Sequence, residues 1–224
     1  MDKVFVVLPA FNEGGSIASV VSEVRGLYPN VVVVDDGSQD DTARKALAVG
    51  AVVLRHPINR GQGAALQTGI TYSLEADADY VVTFDSDGQH LPEDLARLLA
   101  PLLAGEAEIA LGSRFIGRAE GIPWQRRLLL RAAVLFTRIA SGTPVTDAHN
   151  GLRAFTRHAA SQLNLQMDRM AHASEILDQI RHMRLPFVEV PVTIRYTEYS
   201  LAKGQRSSAA LRVLFDYLVG RLLG

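Results

Sequence analysis

Short apolar runs rich in β-branched residues recur along the chain, separated by stretches whose apolar positions repeat at helical spacing. Val4 to Leu8, Val31 to Val34, Val52 to Leu54 and Tyr80 to Phe84 are uninterrupted runs, the pattern of strands buried on both faces of a parallel sheet. Between them, Ile17, Val20, Val21 and Val24 predict a helix over about 16–26 with Ser16 as its N-cap. Further helices are predicted from Thr42 through Leu47 and from Ala64 to about Glu75, and Leu91-Pro92-Glu93-Asp94 reads as a helix start. Ala107 to Leu111 is another strand, His172 opens another helix, and Phe187 to Ile194, flanked and interrupted by Pro186 and Pro191, reads as an edge strand. Alternation of this kind predicts an α/β fold, a doubly wound and mostly parallel sheet with helices on both faces.

With 224 residues the chain is long enough for one sizeable domain. Its formal charge of −1 provides no basic field for a nucleic acid. The absence of cysteine excludes disulfides and thiolate metal sites. The apolar run after Met1-Asp2-Lys3 is too short for a signal peptide, and no stretch approaches the roughly 20 apolar residues of a membrane span. A soluble, cytoplasmic protein is expected, with peripheral contact to the inner face of the cell membrane left open.

Polar, acid-rich loops follow three of the strands: Pro9 to Gly15, Asp35 to Asp41, and Asp85 to His90. In doubly wound sheets ligands lie beyond the carboxyl ends of the strands, so these loops predict a common site. Asp85 and Asp87 stand one residue apart and would point the same way if the strand geometry continued. Two converging carboxylates repel unless a cation lies between them, and Mg²⁺ or Mn²⁺ suits oxygen ligands and open positions. Gln89 and His90 add neutral donors, and Gly88 permits an unusual backbone angle. A solvated turn is the competing reading of Asp85-Ser86-Asp87-Gly88. No G-x-G-x-x-G follows the first strand and no G-x-x-x-x-G-K-[ST] occurs, which disfavours dehydrogenases and P-loop enzymes.

Leu8-Pro9-Ala10-Phe11-Asn12-Glu13, Val34-Asp35-Asp36-Gly37-Ser38, Asn59-Arg60-Gly61-Gln62-Gly63, Asp85-Ser86-Asp87-Gly88-Gln89-His90 and Gly112-Ser113-Arg114 follow one another in the order and spacing of a known family. The chain resembles family-2 glycosyltransferases of the GT-A fold, in the branch of dolichol-phosphate mannosyltransferase and bacterial polyprenyl-phosphate glycosyltransferases. The resemblance spans about residues 4–200. It implies an inverting transfer from a nucleotide-sugar donor, a uridine or guanosine diphosphate sugar. It also implies that Pro9, Phe11, Glu13, Val34 and Asp36 hold base and ribose, with Asp85 and Ser86 beside them. Asp85, Asp87 and Gln89 would hold Mg²⁺ or Mn²⁺ under the diphosphate, and Arg114 would lie near phosphate.

The second half refines the acceptor. Residues 123–141 form an apolar stretch carrying Arg126, Arg127, Arg131 and Arg138 and no acid. It reads as a core helix with marginal arginines or as an interfacial helix on an anionic membrane, with Trp124 at headgroup level. Arg126, Arg127 and Arg131 are then candidates for a lipid phosphate acceptor, with Asp147 orienting the site or the acceptor. Leu152 stands where the resemblance leads one to expect an aromatic residue. Glu175 is a candidate general base, needed for a hydroxyl acceptor and superfluous for a phosphate. The basic loop from Arg195, with Gly204 as a hinge, is predicted to close on the diphosphate through Arg195 or Lys203. Residues 1–206 are taken as the catalytic domain. The apolar helix Ala209 to Leu223 packs on the core, lies on the membrane or forms a homodimer contact. The favoured acceptor is a polyprenyl phosphate. The alternatives are a hydroxyl of a lipopolysaccharide, capsule or other glycan, and, from another class, a non-catalytic sugar-nucleotide binding subunit.

Overall fold

The computed structural model describes residues 3–124, 127, 128, 130, 134, 144–166 and 172–196. Its strands are β1 (Val4–Ala10), β2 (Asn30–Asp35), β3 (Val52–Arg55), β4 (Tyr80–Thr83), β5 (Ile109–Glu120), β6 (Arg153–Thr156) and β7 (Phe187–Arg195). Its helices are α1 (Ile17–Arg25), α2 (Thr42–Ala48), α3 (Gln62–Glu75), α4 (Asp94–Leu103), α5 (Arg157–Ser161) and α6 (His172–Met183). Among the described residues the strands form one sheet in the order β3-β2-β1-β4-β6-β5-β7. β6 runs antiparallel to β4 and β5, and the other pairings are parallel.

Alternation along each strand sorts the core into two layers. Val6, Leu8, Val31, Val33, Val82, Phe84 and Ala154 pack with α1 and α4 on one face. Val7, Val32, Val34, Val81, Ile109, Leu111 and Phe155 pack with α3, α5 and α6 on the other. This two-sided burial is why the strands read as unbroken apolar runs rather than as alternating ones. α3 approaches the sheet closely at Gly69, where a side chain would collide with Val7 and Val34.

The topology sets the site. β1 lies between β2 and β4, so successive crossovers leave in opposite directions there, the arrangement that opens a crevice at the carboxyl edge. β5 and β7 end at that same edge. β6, being antiparallel, begins there, with Arg153 opposite Thr83 at the end of β4.

The extent of β5 and the Ser16 cap both depart from the sequence expectations. β5 runs to Glu120, well past Leu111, because its pairing with β7 resumes after a register shift between Ser113 and Arg118. Pro191, which has no N–H to donate, falls opposite Ser113 at that shift. Ser16 does occupy the N-cap of α1, yet its hydroxyl makes no capping bond. It donates instead to the Ser86 carbonyl at 2.8 Å and lies 3.0 Å from Glu13 Oε2, so it ties two site loops together.

Candidate active site

The loop after β1 is stitched to the loop after β2. Asn12, with φ +54°, donates its N–H to Ser38 Oγ at 2.8 Å and accepts the Gln39 N–H on its side chain at 2.9 Å. The Glu13 N–H goes to Thr42 Oγ1 at 2.8 Å, and Lys45 Nζ caps the Gly14 carbonyl at 2.6 Å. The pairing leaves Phe11 projecting, 43% exposed, while Glu13 is buried. Pro9 lies in the ladder, and its carbonyl accepts the Ser86 hydroxyl at 2.7 Å. Val34 is fully buried under α3, so its side chain serves the core rather than a ligand. Ser86, buried, likewise serves as a tether between β1 and the acidic loop.

β4 ends at Thr83, and the acidic loop is a turn rather than a continued strand. Gly88 takes φ +76°, and Asp87 Oδ1 accepts the Gln89 N–H at 3.0 Å. The turn reading and the site reading therefore hold at once, because the turn itself brings the carboxylates together. Burial and the neighbouring Asp85 push the Asp87 carboxyl up to about 6, with Glu13 adding to the rise and His90 opposing it. Asp85 is oriented from three sides. Gln62 Nε2 donates to Oδ1 at 3.0 Å, His90 Nε2 meets Oδ2 at 3.0 Å, and Gly151 presses against the carboxylate with no room for a side chain. His90 stacks obliquely on Phe84 with ring centroids 5.3 Å apart.

This donor set suits a divalent cation. Two carboxylates at a sheet edge, one of them raised by burial and by its acidic neighbour, match the one or two carboxylates by which Mg²⁺ or Mn²⁺ is usually bound. Among the described residues no group of three His, Asp or Glu side chains could hold an ion unaided. Beyond these carboxylates and Gln89, such an ion would draw its remaining ligands from water or phosphate.

Arg114 and Asp147 are both buried and paired, Nε to Oδ2, at 2.6 Å. The guanidinium also donates to the Tyr196 hydroxyl at 2.6 Å and the His149 carbonyl at 3.1 Å. Burial opposes its charge, but Asp147 and Tyr196 outweigh burial and raise its pKa. Arg153 is buried nearby, held down to about 10 by burial, with Asp85 and Asp147 opposing the drop. The end of β7 joins the acidic loop, since the Arg195 N–H donates to the Gln89 carbonyl at 2.9 Å. The Arg195 side chain points to Glu120, at 3.3 Å.

The structure thus brings Glu13, Asp85, Asp87 and Gln89 to one edge with exposed Phe11 on the neighbouring loop. Asp36 is at the same edge, but its carboxylate already accepts from His56 Nδ1 and from the Arg60 and Gly61 N–H groups. Glu175 accepts the Gln166 N–H at 2.8 Å, bracing the 164–166 segment. Of the arginine acceptor candidates, Arg127 is exposed, as are Trp124 and Leu128 of the same stretch. Arg126, Arg131, Lys203, the predicted closing loop from 197 onward and the C-terminal helix lie outside the described residues. Gln62, Gly151, Arg153 and Tyr196 were given no role from the sequence. Gln62 and Gly151 each stand within motifs that the sequence displays, and only the fold shows what they touch.

A family model described as glycosyl transferase family 2 matches residues 5–163. The chain belongs to glycosyl transferase family 2. It is 32% identical to the UDP-N-acetylglucosamine–dolichyl-phosphate N-acetylglucosaminyltransferase of Methanococcus voltae, over 96% of this chain and 95% of that protein. It is also 32% identical to polyprenol monophosphomannose synthase of Mycolicibacterium smegmatis, over 94% of this chain and 83% of that protein. Among solved structures it is similar to glucosyl-3-phosphoglycerate synthase from Mycobacterium tuberculosis in complex with Mn²⁺ and uridine-diphosphate-glucose. The TM-score is 0.73 at 25% identity, over 98% of this chain and 79% of that one. The sheet is that of the GT-A fold, and this family-2 glycosyltransferase carries its acidic pair at the carboxyl edge of that sheet.

Proposed function

We propose that this glycosyltransferase moves a hexose from a nucleoside diphosphate sugar to a polyprenyl phosphate at a membrane surface, with inversion and with a divalent cation. The observation that carries the donor half is the pairing of Asp85 with Asp87 at the exit of β4, beside Glu13 and the exposed ring of Phe11. Phe11 offers a stacking face to the base, and Asp85, Asp87 and Gln89 would hold Mg²⁺ or Mn²⁺. The ion would supply Lewis-acid stabilisation of charge growing on the departing diphosphate.

The chain's own residues do the positioning. Gln62, His90 and Gly151 fix the Asp85 carboxylate, and the Ser86 and Ser16 hydroxyls fix the turn that carries Asp87. An acceptor phosphate oxygen attacks the anomeric carbon. The new C–O bond forms as the bond to the diphosphate breaks, and the nucleoside diphosphate leaves with the electron pair. A single displacement of this kind inverts the anomeric centre.

Two lines support phosphate over hydroxyl as the acceptor. Relatives matching nearly the whole chain are named for dolichyl and polyprenol phosphates. Glu175, the base a hydroxyl would require, is engaged with Gln166 and Gln179. Membrane contact is supported by exposed Trp124, Arg127 and Leu128. Among the described residues no helix is long and apolar enough to cross a membrane.

The test is transfer of label from UDP-N-acetylglucosamine, UDP-glucose and GDP-mannose, with Mn²⁺, to undecaprenyl or dolichyl phosphate in vesicles. The expected product is a lipid monophosphate sugar, lost in Asp87→Ala. Transfer only to a glycan hydroxyl, or donor binding with neither hydrolysis nor transfer, would overturn the reading.

A further inference from the structure

Asp36 and Gln62 are linked in series to the acidic pair. Asp36 Oδ1 accepts the Arg60 N–H at 2.9 Å and His56 Nδ1–H at 2.7 Å, and Oδ2 accepts the Gly61 N–H at 2.6 Å. Bonds from N–H groups to a buried carboxylate are among the stronger ones available to a protein, and Asp36 is only 2% exposed. They hold a turn in which Gly61 takes φ +97°, a conformation that a side chain resists. His56 extends the hold, because its Nε2 lies 2.9 Å from Thr68 Oγ1 further along α3. Close packing of Gly69 on Val7 and Val34 then fixes the helix against the sheet. The first residue of this anchored helix is Gln62, and its amide reaches Asp85 Oδ1 at 3.0 Å.

A carboxylate oxygen can accept more than one partner, because it has two lone pairs. The bonds from Gln62 to Oδ1 and from His90 to Oδ2 therefore fix the carboxylate plane and are compatible with an ion on the same oxygens. Asp36, with both oxygens bonded to the α3 turn and His56, sits behind this contact rather than in it.

We propose that Gln62 is a positioning residue, holding Asp85 in the orientation that a divalent cation requires, and that Asp36 acts through it by fixing the start of α3. The proposal rests on the reading of Asp85 and Asp87 as the cation site. It gives Asp36, beside the ligand role that the family resemblance implies, a role one step behind the metal.

Mn²⁺ binding to the full chain, with UDP or GDP present, is measured by electron paramagnetic resonance on wild type, Gln62→Leu, Asp36→Asn and the double variant. Loss of a bond that orients a metal ligand commonly costs 10–100-fold in affinity. Gln62→Leu, at a half-buried position, is expected to weaken Mn²⁺ roughly 10-fold, with its unfolding midpoint preserved and the loss appearing in the KM for Mn²⁺ rather than in kcat at saturating metal. If the two residues act in series, the double variant binds Mn²⁺ no more weakly than the worse single variant. Unchanged Mn²⁺ affinity in Gln62→Leu overturns the proposal, and that comparison needs only the Gln62 variant, whether or not Asp36→Asn folds. Additive losses overturn the serial link between Asp36 and Gln62. A wild-type protein that binds no Mn²⁺ with either nucleotide would sink the cation site itself, and this proposal with it, a result distinct from the other two.

Discussion

Arg114 and Asp147 form a buried ion pair in which one carboxylate oxygen, Oδ2, receives both the guanidinium Nε at 2.6 Å and the backbone N–H of the same arginine at 3.0 Å. The other oxygen of Asp147 is buried with no hydrogen-bond partner among the described residues. With Tyr196 and the His149 carbonyl also bonded to the guanidinium, the pair knots together β5, the loop before β6 and the end of β7. A phosphate reaching Arg114 would have to exchange with one of these partners. The pair's first role in this structure is to brace the wall behind the acidic loop.

Removing one member of such a pair leaves a buried charge uncompensated. Asp147→Ala is therefore expected to destabilise the fold by about 3–5 kcal/mol, read as a lower urea midpoint with an unchanged slope. A loss below about 1 kcal/mol would mean that the pair behaves like a surface one and braces little.

Asp87 makes the metal-free protein sensitive to pH. Burial first, and Asp85 second, raise its carboxyl from 3.8 to about 6 in the folded state. A group whose folded pKa lies above its unfolded one favours folding while protonated. Its contribution is complete below about 4 and is lost as pH rises through about 6. Asp87→Asn stays neutral throughout, so in EDTA it should gain on wild type from pH 4.5 to pH 7.5 and be the more stable at the upper end. Adding Mn²⁺ at pH 7.5 should reverse the order, since only wild type gains binding free energy. Urea denaturation at the two pH values, with and without metal, checks both signs.

Gly151 is a steric prediction. A Cβ there would overlap all three atoms of the Asp85 carboxylate, which Gln62 and His90 hold in place. Gly151→Ala should leave the sheet intact, because Gly151 precedes β6. It should displace the Asp85 carboxylate oxygens by about 1 Å, a shift that can cost on the order of 100-fold in turnover. Circular dichroism with initial rates separates the two effects. A variant with wild-type rate would show that Asp85 has more freedom than the packing implies.

The strands and the loops that bear chemistry were legible because each buried run ends in acid or glycine at the same sheet edge. β6 was not. Arg153-Ala154-Phe155-Thr156 is four residues with a buried arginine at its head, and it is a strand because β4 and β5 supply partners on both sides. The expected alignment of Asp85 and Asp87 by continued strand geometry does not hold. Strand alternation does not continue past Thr83, and a turn with Gly88 at positive φ gathers the carboxylates instead. The resemblance implies that Asp36 holds base or ribose, while its bonds in the fold run to residues 20, 24 and 25 positions away, and one-dimensional spacing carries no sign of those. Gln62 was hidden for the same reason, since nothing local distinguishes an amide that reaches across the crevice from one that faces water.

Glu175 separates the two acceptor chemistries. Its Oε1 accepts the Gln166 N–H at 2.8 Å, and Gln179 Nε2 lies 3.4 Å away, so the carboxylate braces the segment that leads from α5 toward α6. Glu175→Gln keeps an oxygen that can accept the Gln166 N–H while removing the ability to take up a proton. If the acceptor is a phosphate, already an anion, turnover should stay within about 3-fold of wild type, far from the 10²–10⁴-fold that a general base contributes. If it is a hydroxyl and Glu175 takes its proton, kcat should fall by about that larger factor, and the pH–rate profile should lose its acidic limb. Initial rates on lipid phosphate and on a glycan acceptor, across pH 5.5 to 8.5, distinguish the two outcomes.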